Sequence, residues 1–334
     1  MGGYMNDLID DRGTIEFGIY DQEISRVNYL DYHLETVMGI TVPRFVKSYL
    51  ANQFHFIGIT GPELIIGMAI IDLKYLTNCF IYVYDRDERK IIQDKVLSLP
   101  GAQKHITPHP EKTHSVFKSD DMDVEINHGH ISAKGKSVHL VADLGLDSVP
   151  PLRICTRAGY RGWVYTQKTT PISISGQVSY HGKTISLSSP QYMALMDWSC
   201  GYMRRNTCWN WASSACTLND GSTLGLNLSC GVNETSYTEN FFMINGIMTK
   251  VDTVDFVFDK DHIHSPWHIT SFDKKVDLRF TSESHRSEMI NAVLVASRFT
   301  QLVGRFDGTL KTDDGQLVNI ESCPGFTEDH YARW

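Results

Sequence analysis

Apolar and polar residues alternate along most of this chain. Leu224, Leu226 and Leu228 alternate with Gly225, Asn227 and Ser229, and Val254, Phe256 and Phe258 with Asp255 and Val257. Val276, Leu278 and Phe280 do the same with Asp277 and Arg279. A period of two with one apolar face predicts half-buried antiparallel strands. Between such runs stand Asp220-Gly221, Asn245-Gly246, Asp307-Gly308, Asp314-Gly315, His128-Gly129 and His181-Gly182. These pairs predict tight turns, because hairpin loops need positive φ angles that Gly, Asn and Asp supply cheaply. In the N-terminal half, Val124 and Ile126 lead through a turn to Ile131 and then Val138 and Leu140. Residues 54–60, 64–73 and 79–84 predict three successive strands, and only 42–53 and 89–97 read as short helices. The pattern predicts an all-β chain with few short helices. Pro150-Pro151 and the stretch 166–171 read as linkers. A boundary near residue 168 gives two halves, 1–168 and 169–334.

Composition narrows the class. A length of 334 residues exceeds one usual domain, so two domains or one large β assembly is expected. The chain is 42% apolar and 21% charged without low-complexity runs, which supports a packed core over disorder. The net charge of −8 and the scattered basic residues argue against a nucleic-acid partner. The longest apolar run, 64–73, is broken by Gly67 and Asp72 and is too short to span a membrane. The first residues carry no secretory signal pattern. Seven cysteines, an odd count with no C-x-x-C pair, fit reduced thiols and a cytoplasmic protein better than a disulfide framework.

The chemistry concentrates in residues 190–212. Asp197 stands among Leu195, Met196 and Trp198, followed by Arg204, Arg205, Trp209, Asn210 and Trp211. A partly desolvated Asp197 carboxyl would donate a proton near neutral pH, whereas pairing with Arg204 or Arg205 would make it structural. On a strand, Trp209 and Trp211 share one face and would form either flat cavity walls or plain core. Glu239, before Asn240 and Phe241-Phe242, is a candidate second carboxylate, with a strand-end acid in solvent as the alternative. The closing Glu328-Asp329-His330-Tyr331-Ala332-Arg333-Trp334 is dense for a tail and predicts a docked terminus, with His330 in the site region. The histidine pairs 128/130, 105/109 and the set 262/264/268 need not converge, so no metal is expected. No phosphate-binding glycine loop, G-x-S-x-G or H-E-x-x-H occurs, and no cofactor is expected.

The run Asp197-Trp198 … Gly201-Tyr202 … Arg205 … Thr207 … Trp209-Asn210-Trp211-Ala212, with Thr238-Glu239-Asn240, Pro266-Trp267, Arg305-Phe306 … Gly308 and the closing Glu328-to-Trp334 segment, resembles the DUF2804 family of bacterial proteins. More distantly, Ile174–Ile185, Leu195–Trp198 and Leu218–Gly221 resemble the AttH-like and carotenoid 1,2-hydratase group. The resemblance implies two lipocalin-like, calycin-type antiparallel β-barrel domains. It also implies acid chemistry on apolar unsaturated substrates, with Asp197 at the position of the group's first acid. Ser199 and Cys200 stand where that motif continues, so its second acid and Trp are not reproduced.

Two functions follow as expectations. One is an acid/base enzyme of hydratase, isomerase or cyclase type using Asp197 and Glu239 on a small, partly apolar molecule in a β-barrel cavity. Arg204, Arg205, Trp209, Asn210, Trp211, Asn240, Trp267 and His330 would then bind that molecule. The other is a lipocalin-like carrier of an apolar ligand, and carbohydrate processing is a weaker third.

Overall fold

The computed structural model describes residues 7–99, 103–232, 237–292 and 295–334. Strands make up 64% of the chain and helix 4%, and two curled antiparallel half-barrel sheets form two lipocalin-like domains. The first sheet runs, in spatial order, through the strands Lys90–Ser98, Thr77–Asp85, Leu64–Asp72, Asn52–Thr60, Lys183–Tyr202, Gly162–Tyr180, Val138–Gly145, His130–Lys134, Asp123–Asn127, His114–Lys118 and Gln103–Ile106. The second is centred on Asn206–Thr217, Leu317–Arg333, Val295–Lys311 and Val276–Ala292.

Residue 168, expected as the meeting point of two halves, lies inside the strand Gly162–Tyr180. The stretch 166–171 is likewise strand and not linker. That strand bonds to Lys183–Tyr202 on one side and Val138–Gly145 on the other, with a register irregularity between Thr169 and Ile172 around Pro171. A proline cannot donate to the ladder, so the sheet breaks pattern there instead of ending. The change from one sheet to the other comes between Tyr202 and Asn206.

The predicted strands at 54–60, 64–73 and 79–84 appear as Asn52–Thr60, Leu64–Asp72 and Thr77–Asp85. The helix expected near 42–53 is a shorter Arg44–Leu50. The one expected over 89–97 is the strand Lys90–Ser98, paired along Thr77–Asp85. It stands at one end of its sheet, and its mixture of apolar and charged residues does not by itself distinguish an edge strand from a helix face. His128-Gly129, His181-Gly182 and Asn245-Gly246 have positive φ at both residues and close two-residue hairpins. Asp307-Gly308 does not turn: Gly308, at φ +138°, marks a bulge inside Val295–Lys311.

Three apolar layers result. Odd-numbered residues of Asn52–Thr60, such as Ile57 and Ile59, enter the first domain's core with Ile66, Ile81, Trp163 and Trp198. The second domain's core holds Leu226, Phe242, Trp267, Leu278 and Phe306. Between the sheets lies a third cluster, with Ile65, Phe80, Tyr82 and Leu195 from one and Trp211, Val303 and Phe326 from the other. The central strands are thus buried on both faces, which is why Leu64–Asp72 is apolar on both faces instead of alternating. Arg86 Nε reaches Glu283 Oε2 at 2.8 Å, one ion pair that crosses between the sheets.

Candidate functional site

The third layer is not fully packed. At one end it opens into a cavity of about 160 Å³, whose floor and walls come from both sheets. Successive strand residues point to opposite faces, so Phe54, Phe56, Lys168, Asp197 and Ser199 line it while His55 and Trp198 face the first core. The opposite wall carries Trp209, Trp211, Phe299, Gln301, Glu328 and His330. The cavity therefore lies between the two sheets and not inside one barrel.

Asp197 lies directly across the ladder from Lys168. The Lys168 ammonium donates to Asp197 Oδ2 and stands 3.6 Å from Glu239 Oε1. Asp197 Oδ1 accepts from Ser199 Oγ at 3.0 Å and Thr166 Oγ1 at 3.2 Å. Burial pulls the Lys168 ammonium down, but Asp197 and then Glu239 outweigh it, and its pKa lies above the ordinary lysine value. The side chain of Lys168 is 6% exposed, that of Glu239 9% and that of Asp197 23%. Of the three, Asp197 is the group most open to the cavity. Behind Glu239, Lys250 donates to the carbonyls of Thr238 and Asn240, and burial lowers its pKa to about 8.

A second polar group sits on the other wall. Glu328 accepts from Trp209 Nε1 at 2.9 Å and Gln301 Nε2 at 3.2 Å, and His330 Nδ1 lies 3.4 Å away. Gln301 Oε1 in turn accepts from Tyr82 OH at 2.7 Å. The His330 ring lies 4.1 Å from that of Trp209, and His330 Nε2 is 3.0 Å from Ser297 Oγ.

Asp197, Glu239, Trp209, Trp211 and His330 thus meet at one cavity. The other expected residues sit elsewhere. Arg204 donates to the carbonyls of Gly231 and Val232 at 2.8 Å, and Arg205 to the Trp334 carbonyl. The arginine partnership weighed for Asp197 is taken by Lys168 instead. Asn210 donates to Asp329 Oδ1 at 3.0 Å. Asn240 bonds the Ser229 amide and the Asp252 carbonyl beside a separate small cleft. Trp267 is fully buried in the second core, stacked on Phe258 at 3.8 Å. The chain end is ordered: residues 328–333 belong to a central strand, and Trp334 packs its ring 5.7 Å from that of Phe54 and lines the cavity. Lys168, Glu328 and Gln301 are additions. A charged residue within the otherwise uncharged run 162–175 was the available signal for Lys168.

The family model of DUF2804, described as a domain of unknown function, matches residues 4–334. The chain belongs to the DUF2804 family. This DUF2804 protein is similar in fold to a putative AttH from Nitrosomonas europaea, at TM-score 0.51 and 12% identity, covering 86% of this chain and 93% of that one. CghA matches at TM-score 0.51 and 10% identity, covering 85% of this chain and 88% of that one. Kievitone hydratase from Nectria haematococca matches at TM-score 0.45 and 9% identity, covering 85% and 88%. Comparison with curated proteins finds no match. Among the described residues, no helix is long and apolar enough to cross a membrane.

Proposed function

We propose that this DUF2804 protein is a proton-transfer enzyme, of hydratase, isomerase or cyclase type, acting on a small and partly apolar molecule held between its two sheets. One observation carries the reading: two carboxylates and an ammonium converge at a cavity whose remaining wall is rich in aromatic rings and carries a third carboxylate, Glu328. Burying such charges costs several kcal/mol per ion unless they are paired, and an apolar binding surface alone has no need of them. In this scheme Asp197, the most open of the three, exchanges a proton with the substrate. Lys168 and Glu239 hold the proton count of the site. Trp209, Phe54, Phe299 and Trp334 hold the apolar body. A cytoplasmic setting is part of the same reading, from an odd count of seven cysteines with no C-x-x-C pair.

A carrier is the second reading, favoured by the direct cross-strand register of Lys168 and Asp197, which would fasten two strands without any chemistry. Incubation with a panel of conjugated enones and polyenes in D2O, followed by mass spectrometry, separates the two. The enzyme reading expects deuterium incorporation or addition of D2O by the native protein. Asp197→Asn should abolish turnover while still quenching tryptophan fluorescence on binding. Ligands that bind but never exchange, in either protein, would leave the carrier.

A further inference from the structure

A second, polar cavity of about 320 Å³ lies on the other side of the strand Asn52–Thr60: Gln53 lines it, while the adjacent Phe54 lines the intersheet cavity. Its walls carry Arg26, Arg44, Lys74 and Lys104. Lys74 and Lys104 converge on one carboxylate, at 2.8 Å from Asp72 Oδ2 and 2.6 Å from Asp72 Oδ1. Both lysine side chains are mostly buried, 15% and 16% exposed. At the rim, Arg44 pairs with Asp31 at 3.0 Å and Arg26 with Asp7. Next to them Lys47 donates to the carbonyls of Leu30 and Tyr32, at 2.6 and 2.8 Å. Four cations, Arg26, Arg44, Lys74 and Lys104, thus line one hollow with two carboxylates, Asp31 and Asp72. Two ammonium groups on a single acid leave positive charge that a bound anion would balance.

We infer that this hollow is a binding site for a phosphoryl group, held chiefly by Lys74 and Lys104 with Arg44 at the rim. Lysines act on phosphate as point charges with several rotatable donors, which suits two short ammonium contacts, Lys74 from the turn after Leu64–Asp72 and Lys104 from the strand Gln103–Ile106. The site is separate from the intersheet cavity and does not depend on the chemistry proposed there.

The test uses the full chain. Titration calorimetry with glycerol 3-phosphate forms one arm, and sedimentation with phosphatidylcholine vesicles with or without phosphatidic acid forms the other. Saturable binding in either arm is expected, and the arm that responds identifies a free phosphomonoester or a lipid headgroup as the source. Lys104→Met and Lys74→Met should each weaken it by about tenfold or more, the effect of losing one charge-assisted hydrogen bond. Asp72→Asn should tighten it, because the competing carboxylate is neutralised. Circular dichroism and melting identify variants that fold. Binding in neither arm overturns the proposal, as does binding that sodium chloride of equal ionic strength abolishes or that folded Lys104→Met retains in full.

Discussion

Replacing Lys168 by Met tests the charged end of the intersheet cavity most directly. The native side chain is 6% exposed, and its ammonium stands between Asp197 and Glu239. Met keeps most of the volume and removes the charge, so the packing loss is small. What remains is two carboxylates facing one apolar space. Breaking a buried pair by removing one partner costs about 3–5 kcal/mol. The low end applies, because Asp197 keeps its bonds from Ser199 and Thr166 and retains some solvent contact. A loss of about 3 kcal/mol in a chain of this size lowers the melting temperature by roughly 5 °C.

The pH dependence gives the same experiment a signature. In the native protein the folded-state pKa of Lys168 is raised. Its contribution is therefore fully present below the unfolded lysine value of about 10.4 and is lost as pH climbs through the folded value. Differential scanning calorimetry of both proteins from pH 7 to pH 11 reads the onset of that loss. A Lys168→Met protein that melts within about 1 °C of the native one across that range would mean that the three groups do not share a desolvated site.

Two further outcomes follow from other parts of the structure. His55 is completely buried, and burial, opposed weakly by the Asp197 charge, lowers its pKa to about 4. The unfolded state takes up that proton first as pH falls below about 6.5, so roughly 3 kcal/mol of stability is lost between there and pH 4. His55→Gln should flatten this limb in urea denaturation, and an unchanged slope would refute it. Trp334→Ala removes a ring that packs on Phe54 and Trp209 and an indole that donates to the Arg204 carbonyl at 3.0 Å. A loss of about 2 kcal/mol and weaker binding of an apolar fluorescent probe are expected, less than for a fully buried tryptophan because Trp334 keeps some exposure. Unchanged probe affinity would remove Trp334 from the cavity wall.

Period-two alternation identifies strands that have one face in a core and one in water. Val138–Gly145 is such a strand, and its burial alternates without interruption. The same signal weakens where both faces are covered. Gly162–Tyr180 is buried at nearly every position over its first ten residues, so polar residues that serve the layer between the sheets look like a loss of pattern. Thr166, Lys168 and Thr170 point into that layer, and their spacing beside Pro171 reads as a linker only because the partner sheet is not visible from local sequence. The long central hairpin moves the apparent boundary for the same reason.

The candidate site divides along that line. Asp197 and Trp209 stand out because their neighbours make a short local contrast of charge against rings. Their partners do not, because register and not proximity brings them in. Lys168 meets Asp197 across a ladder, from 29 residues away. Glu328 meets Trp209 from 119 residues away. The arginines that followed Asp197 in sequence were drawn off by strand geometry: past Tyr202 the chain leaves the first sheet, and Arg204 and Arg205 end on the backbone carbonyls of Gly231, Val232 and Trp334. Those bonds fix the crossover that lays the second sheet against the first. Their contribution to the site is indirect but necessary, since the cavity exists only where two sheets meet, and Trp334 lines it because Arg204 and Arg205 hold the chain end in place.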